Sequence, residues 1–585
     1  MNDKQLMNRA ADNIRILAAS MVEKAKSGHP GGAMGGADFI NVLYSEFLEY
    51  DPANPNWEGR DRFFLDPGHM APMLYSQLGL IGKFSMDELA NLRQWGSTTP
   101  GHPERDLERG IENTSGPLGQ GHVFAVGAAI AEKFLAAKLG EEVMNHTIYA
   151  YISDGGIQEE ISQGAGRIAG TLGLDNLIMF YDSNDIQLST ECSEVTSEDT
   201  AAKYKAWGWH VIEINGNDCD QIRQALTEAK AVKGQPTLII GKCIMGKGAL
   251  KEDGSSFERN CKTHGAPLGG NAFVNTVKNL GGDPENPFQI FPEVQALYAA
   301  RAEELKAICA KKYAAKEAWA KANPEKAAKM EAWFSGAAPQ VDWSKVQQKA
   351  DDATRNASAA VLSVLAEQVE NMICASADLS NSDKTDGFLK KTKSFVKGDF
   401  SGAFFQAGVA ELTMACCCIG MALHGGVFAA CGTFFVFSDY MKPAIRMAAL
   451  MELPVSEEML GAYLEGNLHG SELREVQNII EQDSFVADII SDTDDILQMN
   501  NELSNPWMED SFSGGLIEDQ DFQLLMNNDF ALPEIIMDAS LEIEENLIQD
   551  ATLANLPSGL EEDSTHVGLN DGDNVNGINE AYNEL

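Results

Sequence analysis

Residues 147–188 read TIYAYISDGGIQEEISQGAGRIAGTLGLDNLIMFYDSNDIQL, and this stretch decides the fold. It opens on an alternating, β-prone run, Thr147 to Ile152, and turns through Ser153-Asp154-Gly155-Gly156. A helix-like segment follows, then a second apolar run, Leu177 to Tyr181, which ends in Asp182-Ser183-Asn184. Two strands joined by a helix make one βαβ unit, so the chain is expected to be α/β, with parallel sheets flanked by helices. In such sheets ligands gather at the carboxyl ends of the strands. Asp154 and Asn184 each stand just past such an end and therefore face one crevice. A carboxylate and an amide oxygen are hard ligands suited to Mg²⁺ or Ca²⁺, and Mg²⁺ commonly completes its shell with water and phosphate oxygens.

The 585 residues around this unit leave room for three or four domains with large cores. No apolar run approaches the roughly 20 residues that span a bilayer. The opening MNDKQLMNRAADNIRI is polar and helix-prone, without a signal-peptide core. A cytoplasmic protein with no membrane partner is expected. The ten cysteines include no CxxC pair, and Cys416-Cys417-Cys418 sit together in an apolar segment, the pattern of buried thiols in a reducing compartment. The net charge of −43 is unevenly spread: Ser456 to Leu585 holds 31 acidic residues against one arginine, Arg474, and no lysine. No basic face is visible to neutralise phosphates, which argues against a nucleic-acid partner.

Taken in order, residues 6–26 carry an amphipathic helix pattern that stops at Ser27-Gly28-His29-Pro30-Gly31-Gly32. The glycine is expected to end the helix, and the proline to hold His29 extended. Ala37 to Tyr50 is helix-like, Arg62 to Leu65 reads as a strand, and Asp66-Pro67-Gly68-His69 as the turn after it. Gly101-His102-Pro103-Glu104 and Asn113-Thr114-Ser115-Gly116-Pro117-Leu118-Gly119-Gln120-Gly121 follow, the latter just before a helical run to Leu139. Its glycines let backbone approach a ligand closely. Gly241 to Gly248 matches GxxxxGK of a phosphate loop but has Gly248 where a hydroxyl is needed, so nucleotide binding is not expected there. Residues 293–333, rich in Ala, Lys and Glu, read as a helical connector exposed on most faces. A second α/β unit follows, with a helix near Ser358–Val369, a strand Met372–Ala377, a loop Gly402–Gly408, a buried helix Val409–Leu423 opened by Glu411, a strand Val427–Cys431, and a helix Asp439–Met451 interrupted near Pro443.

With 28 residues between Gly155 and Asn184, the Asp-Gly…Asn arrangement resembles the thiamine diphosphate fingerprint. SGHPGG, GHMAPMLY, GHPE, ENTSGPLGQG, SDGGIQEE, YDSNDIQL and THGAPLG stand in the order and approximate spacing of transketolases, and the similarity runs from about residue 3 to residue 455. The resemblance implies a thiamine diphosphate-binding fold and a metal held by Asp154, Asn184 and the Ile186 carbonyl. It places His29, His69, His102 and His264 along the active-site channel, His69 also in contact with the cofactor, Gly155 and His264 at the diphosphate, and Gly116, Leu118 and Glu159 on the pyrimidine side. Glu160 has no such claim. Glu411 matches the glutamate that bonds N1′ of the aminopyrimidine, and Arg355, Asp378, Ser382, Phe434, Phe437 and Tyr440 match positions around the cofactor. The implied reaction moves a two-carbon ketol unit from a ketose phosphate to an aldose phosphate in the pentose phosphate pathway, with the four histidines hydrogen-bonding sugar oxygens and shuttling protons near neutral pH. A homodimer is implied, each site shared by two chains.

The expected division is a diphosphate-binding domain at 1–290, a connector at 291–350, a truncated pyrimidine-binding domain at 351–455, and an acidic tail at 456–585. The tail, opening with a plausible pair of short helices, matches no family and is expected to be partly disordered, with an unidentified partner. The alternative expectation is a catalytically impaired product that only binds cofactor, or an interaction protein working through that tail.

Overall fold

In the computed structural model of the chain, residues 2–453 are described. The acidic segment after Ser456 and its expected helices lie outside them. Five strands form the first sheet: β1 (Arg62–Leu65), β2 (Ile148–Ser153), β3 (Leu177–Ser183), β4 (His210–Asn215) and β5 (Thr237–Lys242). Every pairing is parallel and the order is β1-β2-β3-β5-β4. Alternate residues serve opposite faces. Tyr149, Tyr151, Ile178 and Phe180 pack into a core that includes the Lys4–Ala25 helix, whereas Ile148, Ala150, Ile152 and Met179 pack against the Gln120–Leu139 helix. Burial on both faces is why the central runs Ile148–Ile152 of β2 and Leu177–Tyr181 of β3 are apolar, whereas β4 is only partly buried.

A second sheet holds β6 (Met372–Ser376), β7 (Phe404–Gln406) and β8 (Phe428–Gly432) in the order β7-β6-β8, again parallel. The helix Glu411–His424 carries Cys416, Cys417 and Cys418 into the core as buried thiols. It crosses the Gln120–Leu139 helix at glycines. A Cβ on Gly127 would stand 2.0 Å from the Cys417 carbonyl oxygen, and one on Gly420 would stand 2.0 Å from that of Phe124. The two backbones touch because neither position carries a side chain.

Several expectations are corrected. The first helix ends on Lys26 in the left-handed region (φ 54°), before Gly28 is reached. Ala37–Val42 is α-helical, but Leu43–Phe47 widens to a π turn. The connector helix Pro292–Ala322 buries a stripe that includes Val294, Leu297, Leu305 and Trp319, so it is less exposed than its composition implied. The loop expected at Gly402–Gly408 contains β7. Pro443 does not interrupt a helix: it lies in the first turn of Lys442–Leu450, where its missing N–H costs nothing.

Candidate active site

β2 and β3 are adjacent and in register, Ser153 opposite Asp182, so their carboxyl ends bring Asp154 and Asn184 together. One Asp154 carboxylate oxygen accepts from the Tyr181 hydroxyl at 2.6 Å. The other accepts from the Asn184 and Asp185 backbone N–H groups at 3.1 and 3.0 Å. Burial pushes the Asp154 carboxyl up against these bonds, a cost that a cation at the same oxygens would offset. Asp185 takes a left-handed turn (φ 67°), and the chain bends so that Ile186 N–H donates to Asn184 Oδ1 at 3.1 Å. The Ile186 carbonyl lies against the His264 imidazole.

These groups open on a cleft of about 810 Å³. Asp154, Gly155, Glu159, Asn184 and Ile186 line it from the βαβ unit. His29, His69, His102, Gly116, Leu118 and His264 line it from the surrounding turns. His29 is extended (φ −123°, ψ 92°), as the following proline requires. The rings of His29, His69 and His264 form a triangle with centroids 5.1, 5.7 and 5.3 Å apart. Burial lowers all three: His29 falls to about 4, chiefly through burial and then through His264, His69 is pushed well below the ordinary range, and His264 is lowered by burial. His29 Nδ1, His264 Nδ1 and Ser153 Oγ are buried with no hydrogen-bond partner, so the cleft wall is polar and unsatisfied.

Not every expected residue meets this cleft. Glu411 is buried at the head of its helix, Arg355 and Asp378 are exposed, and Ser382 bonds the neighbouring Asn381. Phe434 stacks on Phe437 with centroids 5.7 Å apart, and Tyr440 lies tilted to Phe437 at 6.3 Å. Among the described residues, none of these seven lines the cleft. Glu160, to which the resemblance gave no role, does line it. In the Gly241–Gly248 segment, Lys247 is tied to the buried Asp38 at 3.2 Å.

Two groups went unassigned in the sequence. Asp66, fully buried past β1, accepts from the N–H of Gly119 at 3.1 Å, and from the N–H and ring Nδ1 of His122 at 3.2 and 3.0 Å. It thereby anchors the glycine-rich turn. Asp182, also fully buried, accepts from the Asn184 side chain at 3.1 Å and from the Tyr151 hydroxyl at 2.7 Å. An acidic residue inside an apolar strand was the available signal for the second. Nothing distinguished the first from an ordinary turn aspartate.

A parallel α/β domain with hard oxygen ligands, close-approach glycines and neutral imidazoles at its strand ends belongs to the class that seats a metal-bridged diphosphate. Family models agree: residues 6–339 match the transketolase thiamine diphosphate binding domain, and residues 351–469 match the transketolase pyrimidine binding domain. The transketolase of Halalkalibacterium halodurans is 42% identical over 468 residues, covering 77% of this chain and 68% of that one. That of Geobacillus stearothermophilus is 42% identical over 455 residues, covering 76% and 67%. Among solved structures, transketolase from Leishmania mexicana superposes with a TM-score of 0.73 at 36% identity, covering 76% of this chain and 67% of that one. The chain belongs to the transketolase family, and its activity class is thiamine diphosphate-dependent ketol transfer. No comparison supports the alternative of an interaction protein or an impaired product.

Proposed function

We propose that this chain moves a two-carbon ketol unit from a ketose phosphate to an aldose phosphate, as in the pentose phosphate pathway, in the cytoplasm and as a homodimer. The observation that carries the reading is the pair of hard ligands, Asp154 and Asn184, at neighbouring strand ends beside the imidazole triangle. Asp154, Asn184 Oδ1 and the Ile186 carbonyl would hold Mg²⁺ or Ca²⁺, and Gly155, His69 and His264 would meet the diphosphate. Gly116, Leu118 and Glu159 would face the pyrimidine. When bound, thiamine diphosphate supplies the nucleophilic carbon and the electron sink of the transfer. His29, His69, His102 and His264 orient sugar oxygens as neutral donors and acceptors. Glu411 meets the pyrimidine nitrogen, with Phe434, Phe437 and Tyr440 as the ring's apolar seat and Arg355, Asp378 and Ser382 around it.

The dimer is supported by where those last residues lie. They share a chain with the cleft yet do not line it, and Phe435 beside them is 94% exposed. A second copy would bring its own set to the first copy's cleft. The working division is 1–290, 291–350, 351–455 and 456–585, with the pyrimidine-domain match itself reaching residue 469. The first sheet ends at Lys242 and the second begins at Met372, which fits it. Among the described residues no helix is long and apolar enough to cross a membrane. Purified chain titrated with thiamine diphosphate and Mg²⁺ should gain thermal stability and convert a ketose phosphate and an aldose phosphate to products. Absence of both responses would overturn the reading.

A further inference from the structure

We propose that Asp182 is a positioning residue for the cation site: it selects which end of the Asn184 amide faces Asp154. The inference rests on the assignment of Asn184 as a ligand. An asparagine amide has an oxygen and an NH₂ group of nearly the same shape, and only the oxygen can bind a hard cation. Just past β3 the Asn184 NH₂ donates to Asp182 Oδ1 at 3.1 Å. An ionised carboxylate accepts and cannot donate, so a flipped amide would set oxygen against oxygen. The correct end is thus presented before any ion arrives.

Asp182 is itself held. It is fully buried, and its second oxygen accepts from the Tyr151 hydroxyl at 2.7 Å across the β2–β3 pairing. The Cys243 thiol, just past β5, is a further donor to it. Three neighbouring strands therefore converge on one carboxylate, which holds the amide from its NH₂ side while the Ile186 N–H holds the oxygen side at 3.1 Å. Partners of this kind around a metal ligand typically change affinity by about 10–100-fold when removed.

The rival account is that Asp182 acts only as a negative charge near the ion. Asparagine at 182 separates the two. Its carbonyl can still accept from Asn184 while its NH₂ turns to Tyr151, whose hydroxyl can accept as well as donate. Mn²⁺ binding in the presence of thiamine diphosphate, read by electron paramagnetic resonance on the full chain, is the measurement. Parent protein should bind Mn²⁺, and Asp182→Ala should bind it about 10–100-fold more weakly with unchanged circular dichroism. Asp182→Asn should bind at least about threefold more tightly than Asp182→Ala, and adding Tyr151→Phe to Asp182→Asn should erase that advantage. Equal loss in Asp182→Asn and Asp182→Ala assigns a charge role and overturns the positioning. Parent-like affinity in Asp182→Ala overturns it too. The Asp182→Asn and Tyr151→Phe set decides the matter if Asp182→Ala fails to fold. No Mn²⁺ binding by the parent, by contrast, overturns the cation site itself.

Discussion

In the five-stranded half of the molecule, eleven expected site residues from separate turns and strand ends line one polar cleft. In the three-stranded half, Glu411 and the Phe434–Tyr440 aromatics lie off that cleft, while Val409 and Phe435 are 77% and 94% exposed. The first half builds its site from its own chain. The second presents residues suited to a ligand that its own chain does not bring to them. Large exposed apolar side chains next to such residues fit the second copy of the chain proposed above.

The contrast can be broken most decisively at Glu411. If the second half supplies chemistry to a site built by the first, Glu411→Ala should lower turnover by about 10²–10⁴-fold while calorimetry shows thiamine diphosphate still bound. Turnover within threefold of the parent would remove Glu411 from the reaction. The complementary change, Asp154→Ala with Asn184→Ala, removes the two side chains proposed to hold the cation and should weaken thiamine diphosphate affinity by at least about 100-fold and abolish its thermal shift.

The join between the halves is tested at the helix crossing. Gly127→Ala forces a methyl group into the Cys417 carbonyl and should destabilise the fold by about 1–3 kcal/mol, read as a lowered urea midpoint. A smaller, pH-dependent effect is expected at a buried pair spanning the same join. His146 Nε2 and His424 Nε2 are 2.8 Å apart, and Arg62 Nη1 stands 2.8 Å from His146 Nε2. Burial, and then Arg62, push both imidazoles well below the ordinary value. The unfolded chain therefore takes up protons first, below about 6.5. Stability is fully present above that pH and is lost as the pH falls through the folded values, at up to about 1.4 kcal/mol per pH unit for each group. His424→Gln should shallow this acid slope, as followed by thermal melts between pH 7 and 5; an unchanged slope would mean the pair does not titrate on unfolding. The smallest effect is expected for Phe435→Ser, which should raise the dimer dissociation constant several-fold by sedimentation while leaving the monomer's melting temperature within about 2 °C of the parent.

Much of the first half was legible because its strands are apolar and bounded by turns. The Arg62–Leu65 strand stands as read, and the βαβ unit lies within one or two residues of its expected limits. Three-residue β7 was read as loop because so short a run has no detectable period, and a proline mid-segment looks the same whether it breaks a helix or starts one. The histidines were legible as residues at turns, but not their burial or their approach to one another, since His264 meets His29 and His69 from far along the chain.

By itself the amino-acid order determined the family, the parallel α/β class and the residues able to bind a hard cation, because these follow from local period and from motifs whose spacing survives in one dimension. Only the tertiary structure decided which of them meet. Strand pairing set Tyr151, Asp182 and Asn184 in one buried chain of hydrogen bonds, burial lowered the imidazoles, and Glu411 was left off the lining of the cleft. Each of these depends on distances between residues far apart in sequence, and on the loss of water around them, which no linear pattern records.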